Sequence, residues 1–172
     1  MGASASTPAQ ITINSMDADV PIIPPIVLLA LLAISALLAK FVDRFRWMPD
    51  DLNSLRLRLT LFMALFTFSV KIHLDALDEM HKAGSGLAFT PVAGIATEGP
   101  FAYSRNPFYT LLIFVQLPML AMLFDSGWLL FSVAPMYVWL SKFVIPGEEA
   151  FLTRNFGTPY TTYMESTPRW LL

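Results

Sequence analysis

Cysteine is absent from the 172-residue sequence, and histidine occurs only twice, as His73 and His81. Without cysteine the chain has no disulfide, thiolate nucleophile, iron–sulfur cluster or cysteine zinc site. Two histidines leave too little for an imidazole metal centre, so we expect no bound metal. The chemistry of this protein is therefore expected to use carboxylate, guanidinium, amide and hydroxyl groups.

Charged residues are also scarce, at 14% of the chain, whereas hydrophobic residues make up 55%. A soluble domain of this size would not bury so much apolar surface, which favours a lipid bilayer as the solvent. The formal net charge is −2 and no basic stripe is present, which argues against nucleic acid as a partner. We expect a multi-pass integral membrane protein.

Four apolar segments are long enough to cross a bilayer as helices: residues 22–42, 57–74, 108–124 and 128–145. Asn53 or Ser54 is the expected N-cap of the second helix. The polar residues after Leu74 continue its helical register, and Lys71 and Asp75 are spaced to pair. The predicted fold is an all-α transmembrane bundle of about four spans.

The chain is expected to form a single membrane domain over residues 1–172. Within it, residues 1–21 are predicted to be a flexible N-terminus, and residues 22–81 to form the first two helices. Residues 82–172 contain the last two helices and the polar segments beside them. The chain shows no internal repeat and no low-complexity tract.

The last two predicted helices are separated only by residues 125–127, which forces an antiparallel hairpin. Pro118 and Pro135 lie inside these helices and are expected to kink them. The two ends of an antiparallel hairpin meet at one membrane surface. The polar segments that flank the hairpin, residues 97–109 and 146–163, are therefore brought together by topology alone.

The residue types in these two segments suit a ligand that carries both positive and negative charge. Arg105 offers a planar fork for a carboxylate or phosphate, and Asn106 offers a donor and an acceptor. Glu148 and Glu149 are able to hold an ammonium, a sulfonium or ribose hydroxyls. Aromatic faces for a cation or a flat base come from four tyrosines: Tyr103, Tyr109, Tyr160 and Tyr163. An ion pair that only locks the hairpin ends explains Arg105 and the glutamates equally well.

At these residues the sequence resembles the membrane-embedded methyltransferases related to isoprenylcysteine carboxyl methyltransferase and to phospholipid methyltransferases such as phosphatidylethanolamine N-methyltransferase. Those proteins carry Gly-Pro-aromatic and Arg-(His or Asn)-Pro-x-Tyr before a helical hairpin, then Glu-Glu-x-x-Leu and Phe-Gly-x-x-Tyr-x-x-Tyr after it. The matching residues here are Gly99-Pro100-Phe101, Arg105-Asn106-Pro107-Phe108-Tyr109, Glu148-Glu149-Ala150-Phe151-Leu152 and residues 156–163. The resemblance covers roughly residues 85–172.

The resemblance implies an S-adenosylmethionine site that is capped by an amphipathic C-terminal segment, with residues 82–172 as the cofactor-binding half. It gives catalytic roles to Arg105 and Glu149. It implies cofactor contacts for eight residues: Gly99, Tyr103, Arg105, Asn106, Tyr109, Glu148, Glu149 and Tyr160. The implied reaction is methyl transfer to a lipophilic acceptor, a prenyl, phospholipid or isoprenoid compound.

Two alternatives stay open at the level of sequence. Leu111 stands where the family usually has glycine, and Gly147 stands where relatives often carry a basic residue. These two residues favour a non-catalytic subunit of a larger membrane assembly with the same fold. The other alternative is a protein similar to the sterol reductases, which bind a nicotinamide cofactor, but the short N-terminal half argues against it.

Orientation in the membrane is predicted from the basic residues next to the first helix. The positive-inside rule places residues 40–58 in the cytoplasm, and hence the predicted site on the opposite face. Residues 40–58 carry five basic side chains: Lys40, Arg44, Arg46, Arg56 and Arg58. The other face also carries five when Lys142 is counted, with Lys82, Arg105, Arg154 and Arg169, so the total count leaves both orientations open.

Overall fold

The computed structural model describes residues 24–84 and 94–171, and within them every regular element is helical. Four helices are long and apolar enough to cross a membrane, and a short fifth helix follows them. They are α1 (Pro24–Phe41), α2 (Leu55–Lys82), α3 (Pro107–Phe124), α4 (Gly127–Phe156) and α5 (Thr158–Ser166). The predicted all-α bundle of four spans is confirmed. The predicted flexible N-terminus, residues 1–21, lies outside the described residues.

Helix α2 begins at a side-chain cap and extends well beyond its apolar part. Ser54, one of the two predicted caps, accepts a hydrogen bond from the backbone N–H of Leu57 at 3.3 Å. The predicted pair of Lys71 and Asp75 is present, with Nζ and Oδ2 2.5 Å apart. The helix continues to Lys82 because polar and charged side chains, which belong in water, follow the apolar segment in register.

A two-residue turn joins α3 to α4. Asp125 closes α3 in the left-handed conformation, at φ 47°, which aspartate tolerates better than most residues. Ser126 caps α4 by accepting a hydrogen bond from the backbone N–H of Leu129 at 3.4 Å. The turn is one residue shorter than predicted, because α4 begins at Gly127. The antiparallel hairpin is as expected.

Proline interrupts the regular hydrogen bonding of both hairpin helices. A π-helical turn, Leu112–Gln116, precedes Pro118, and α4 breaks at Ser132, three residues before Pro135. A second π-helical turn, Leu140–Val144, precedes Pro146. Proline lacks an N–H and collides with the carbonyl four residues earlier, so the wider turn relieves both problems.

The prediction that the fourth helix ends at residue 145 was wrong. The wide turn before Pro146 lets the chain continue as helix to Phe156. Glu148 and Glu149 therefore lie on α4 itself, in its last three turns, and not on a segment after it. Chain direction then changes at Gly157, whose positive φ of 59° suits glycine.

Two buried clusters hold these elements together. The first joins α3 to α4 and to the C-terminal tail through residues such as Leu117, Met136 and Trp170. The second joins the loop before α3 to α2 and α5 through Ala76, Phe101, Tyr160 and Tyr163. Apolar side chains on the outer faces of α1 and α2, such as Leu29 at 65% exposure, suit contact with lipid.

Candidate functional site

The C-terminal tail is hydrogen-bonded to the loop that precedes α3. The backbone N–H of Arg105 donates to the carbonyl of Pro168 at 2.9 Å. The hydroxyl of Ser104 and the side-chain amide of Asn106 both donate to the carbonyl of Arg169, at 3.0 and 3.1 Å. These three bonds position the side chains of Arg105, Asn106 and Arg169 at the end of the hairpin.

Glu149 on α4 lies between two guanidinium groups. Arg105 Nη1 is 3.2 Å from Glu149 Oε1, and the side chains of both residues are largely buried, at 12% and 14% exposure. Arg169 binds the same carboxylate with two atoms, Nη2 at 2.5 Å from Oε2 and Nε at 3.1 Å from Oε1. The Glu149 cluster, defined as Arg105, Glu149 and Arg169, thus joins the loop, α4 and the tail.

Helices α3 and α4 are also joined by a pair next to this cluster. The hydroxyl of Tyr109 donates a 2.7 Å hydrogen bond to Glu148 Oε1. Tyr109 lies in the first turn of α3, and Glu148 precedes Glu149 on α4. The two adjacent glutamates therefore have different partners, one a phenol and the other two guanidinium groups.

Tyrosines of α5 close the cluster from the side of the second buried core. Tyr160 is almost fully buried, at 3% exposure, and its burial together with nearby Glu149 raises its pKa to about 12. Burial also raises the pKa of Tyr163, whose hydroxyl donates to the carbonyl of Phe101 at 2.7 Å. Both phenols are therefore neutral at physiological pH and remain hydrogen-bond donors.

The structure brings six of the predicted site residues together and places two elsewhere. Gly99 and Tyr103 do not line the Glu149 cluster but a neighbouring groove between α2 and α3. Gly99 has a φ of +56°, and a Cβ there would be 2.9 Å from Glu79 Cγ, so both the backbone conformation and the space favour glycine. The six grouped residues are Arg105, Asn106, Tyr109, Glu148, Glu149 and Tyr160.

Sequence reasoning missed the part that Arg169 takes in this cluster. In the sequence Arg169 lies outside both polar segments that flank the hairpin, yet in the fold it binds Glu149, 20 residues earlier in the chain. The three consecutive residues Pro168, Arg169 and Trp170 are the one signal that the sequence offers. Their contacts depend on how the tail folds back over the hairpin, which no local pattern encodes.

Two apolar grooves lie against α3 on either side of the tail. The first groove, between α3 and α4, has a volume of about 680 Å³ and is lined by Ile113, Tyr137 and Trp170 among others. The second, between α2 and α3, has a volume of about 560 Å³, and its lining includes Leu111 and Leu171 as well as charged residues of α2. Consecutive tail residues thus reach the Glu149 cluster, the first groove and the second groove.

Among residues 24–84 and 94–171, no group of three or more metal-ligating side chains is close enough to hold a metal ion. The polar groups that this end of the hairpin offers to a ligand are those of the Glu149 cluster and its neighbours. They provide two carboxylates, two guanidinium groups, an amide and neutral phenols.

Comparison with known proteins agrees with the sequence resemblance. The family profile described as phospholipid methyltransferase matches residues 57–159, more than half of the chain. Neither the curated proteins nor the solved structures give a significant match. The matched region contains all but the first two residues of α2, the whole hairpin and both glutamates of the candidate site, and it ends before Arg169. The chain belongs to the phospholipid methyltransferase family, whose members act at membranes.

Proposed function

We propose that this protein transfers a methyl group from S-adenosylmethionine to a lipophilic acceptor, a prenyl, phospholipid or isoprenoid compound. One observation carries the proposal. The tail residues Arg169, Trp170 and Leu171 connect a buried, charged cluster to two apolar grooves at the membrane. Methyl transfer from a charged donor to an apolar acceptor needs a polar site for the donor next to an apolar site for the acceptor.

The residues of the Glu149 cluster fit the proposed donor by charge. S-adenosylmethionine carries a carboxylate, an ammonium and a sulfonium, and when bound it supplies an activated methyl group. Buried Arg105 Nε and Ser141 Oγ have no hydrogen-bond partner in the described part of the chain. Ser141 adjoins the cluster, since its carbonyl is 3.5 Å from Arg169 Nη1. These atoms are available to a ligand without breaking an existing bond.

We assign donor binding to the six grouped residues and a positioning role to Arg169. Arg105 would bind the donor's carboxylate, and Glu148 and Glu149 would face its cationic groups. Asn106, Tyr109 and Tyr160 would bind by hydrogen bonds from amide and phenol groups. Arg169 would hold Glu149 in place. Because Gly99 and Tyr103 line the second groove, we place them where the acceptor approaches the donor.

Methyl transfer depends mainly on alignment of the acceptor atom, the methyl group and the sulfur, and on exclusion of water. Arg105 and Glu149 would contribute by orienting the donor in a largely buried site. The apolar grooves would hold the acceptor's hydrocarbon chain, with its reactive head directed toward the tail. Trp170, at 8% exposure, would keep water from the first groove.

The test is S-adenosylmethionine binding to the full-length protein in detergent, measured by calorimetry. Glu149→Gln and Tyr109→Phe are expected to weaken binding by about tenfold or more, because each removes a buried polar contact. Glu165→Gln, on the exposed face of α5, is the matched control and should bind normally. Thermal unfolding of each variant shows whether a loss of binding reflects a loss of fold.

Three results separate this proposal from its alternatives. Binding followed by transfer of a labelled methyl group to a component of a lipid extract supports the proposal. Binding without any labelled lipid favours the non-catalytic subunit. No binding by the unmutated protein overturns the proposal, and a nicotinamide titration then tests the reductase alternative.

A further inference from the structure

A basic cavity lies at the opposite end of the hairpin from the Glu149 cluster. Its volume is about 230 Å³, and it is lined by three arginines, one carboxylate and one aromatic ring: Arg44, Arg46, Arg58, Asp125 and Phe124. Helix α3, which is 18 residues long, begins beside the Glu149 cluster and ends at this cavity. At about 1.5 Å per residue, roughly 27 Å separates the two, which is close to the thickness of the bilayer core.

The carboxylate in this cavity already has hydrogen-bond partners. Asp125 Oδ2 accepts from Arg46 Nε at 2.6 Å and from Asn53 Nδ2 at 2.7 Å. Oδ1 accepts from the backbone N–H groups of Trp47 and Met48. Asp125 therefore neutralises one of the three arginines, and the charge of the other two is not balanced within the cavity.

Arg44 and Arg58 have donors to spare. Arg44 forms no ion pair with any residue that the structure describes. Arg58 Nη1 donates to the carbonyl of Leu123 at 2.9 Å, while its buried Nε lacks a hydrogen-bond partner in residues 24–84 and 94–171. A buried guanidinium N–H without a partner is costly, and an anion in the cavity would provide one.

The surroundings of the cavity are those of a membrane interface. The indole N–H of Trp47 donates to the carbonyl of Ala121 at 3.2 Å, and that of Trp128 donates to the carbonyl of Asp43 at 2.9 Å. Tryptophan is enriched at the level of lipid headgroups. Phe124, at 65% exposure, extends apolar surface from the cavity toward the lipid chains. The arginines therefore lie next to apolar surface, in the same way that the phosphate of a lipid lies next to its acyl chains.

We propose that this cavity binds the phosphate group of an anionic membrane lipid. Arg44 and Arg58 donate to the phosphate oxygens, since the guanidinium fork matches phosphate geometry. Phe124 contacts the lipid's hydrocarbon region, which a free phosphate ion lacks. The bound lipid bridges the α1–α2 loop and α2 at the hairpin turn, on the face away from the proposed methyl-transfer site. Clusters of basic residues next to membrane spans bind anionic lipids in this way.

The experiment compares lipid binding by the full-length protein in nanodiscs of phosphatidylcholine alone and of equal parts phosphatidylcholine and phosphatidylglycerol. Native mass spectrometry after release counts the lipids that stay bound. Retention of phosphatidylglycerol is expected to fall by about tenfold in Arg44→Gln and in Arg58→Gln, since each removes a charged donor. Arg56→Gln is the matched control, because Arg56 lies on the same turn of α2, is exposed and does not line the cavity.

The use of both Arg44→Gln and Arg58→Gln, together with inorganic phosphate as a competitor, gives each result a single interpretation. Arg58→Gln also removes the hydrogen bond to the carbonyl of Leu123. Arg44 has no ion pair among the described residues, so Arg44→Gln reports on lipid binding even where Arg58→Gln disturbs the fold. An equal loss of phosphatidylglycerol in Arg56→Gln would overturn the proposal, because diffuse surface charge would then explain the binding. Displacement of the lipid by an equal concentration of inorganic phosphate would also overturn it, since the cavity would then not select a lipid.

Discussion

Glu149 shows how much a single buried side chain determines at the candidate site. Its carboxylate contacts Arg105 from the loop and Arg169 from the tail, and all three are at most about one-third exposed. Removal of one partner from a buried ionic group leaves uncompensated charge, which costs more than the pair itself contributes. Glu149 is therefore expected to be needed for the local fold as well as for binding, which is why the proposed binding test includes thermal unfolding.

Asp125, at the other end of the hairpin, is likewise a largely buried carboxylate that contacts several groups at once. Four N–H groups of the α1–α2 loop, two from side chains and two from the backbone, donate to its carboxylate. Burial alone would raise the pKa of Asp125, but the hydrogen bonds from Arg46, Met48, Asn53 and Trp47 outweigh it and lower the pKa to about 2. The loop is thus held to the hairpin turn by one carboxylate.

Asp125→Asn is expected to lower the stability of the protein by about 1–3 kcal/mol, because the new amide places N–H groups against existing donors. Thermal unfolding in detergent measures the effect. Asp51→Asn, on an exposed residue of the same loop, is the control and should unfold at the wild-type temperature. Equal midpoints for Asp125→Asn and wild type would contradict the role given to Asp125.

The stability difference between the wild-type protein and Asp125→Asn is expected to depend on pH. The pKa of Asp125 is about 2 in the folded protein, below the ordinary value of 3.8, so ionisation of this group favours folding. Its contribution is fully present above the ordinary pKa and is lost as the pH falls through about 2. The difference in unfolding midpoint between wild type and Asp125→Asn should stay constant down to about pH 5 and shrink below it. A difference that grows on acidification would contradict the assignment.

At the scale of the elements, irregular turns set the direction of the site residues. Each π-helical turn adds one residue to the helix and rotates the later residues by about 100° relative to a regular α-helix. The turn at Leu140–Val144 lies just before the α4 residues that carry Glu148 and Glu149. The turn at Leu112–Gln116 lies just after Tyr109 and Leu111 on α3. Proline thus influences which faces of the two helices meet.

The N-cap of α2 permits a quantitative test of an element boundary. Ser54→Ala removes the side-chain acceptor for the Leu57 N–H and is expected to cost about 1 kcal/mol of stability. Ser54→Asp retains a capping oxygen and should restore most of that loss. The measurement is the thermal unfolding midpoint of each variant. Equal destabilisation by alanine and aspartate would show that the cap is not the cause.

At the scale of the whole molecule, the hairpin separates two polar ends. The Glu149 cluster lies at one end and the basic cavity at the other, with apolar grooves between them. Integral membrane character follows from four helices long and apolar enough to span a bilayer and from membership of a membrane-acting family. We therefore predict that the two ends face opposite sides of the membrane.

Topology is tested with single cysteines, for which this cysteine-free chain gives no background. Ser54→Cys and Glu165→Cys, both at exposed positions, lie at opposite ends of the hairpin. In sealed vesicles of known orientation, an impermeant thiol reagent should label only one of them. The positive-inside rule predicts that Ser54 is cytoplasmic. In that orientation the Glu149 cluster lies on the non-cytoplasmic face, and S-adenosylmethionine would have to reach it from there. Labelling of Ser54→Cys from the non-cytoplasmic side would contradict this orientation and would place the Glu149 cluster in the cytoplasm.

The sequence by itself determined the number of spans, the antiparallel hairpin and the meeting of its polar ends. These follow from the length of apolar segments and from a turn too short for any other arrangement. The pairing of Arg105 with a glutamate was also predictable as one of two interpretations, because topology brings residues 97–109 and 146–163 to one surface. The family resemblance, which the sequence shows over roughly residues 85–172, is confirmed by a family profile that matches residues 57–159.

Tertiary structure alone decided which residues come together at the candidate site. Gly99 and Tyr103 lie in a separate groove, Arg169 joins Glu149, and α4 continues past Pro146 to carry both glutamates. Each outcome depends on how the tail and the irregular turns pack against the hairpin. A contact between residues far apart in the sequence depends on the conformation of the whole chain between them. Hydropathy and residue spacing carry information only about residues that are close together along the chain.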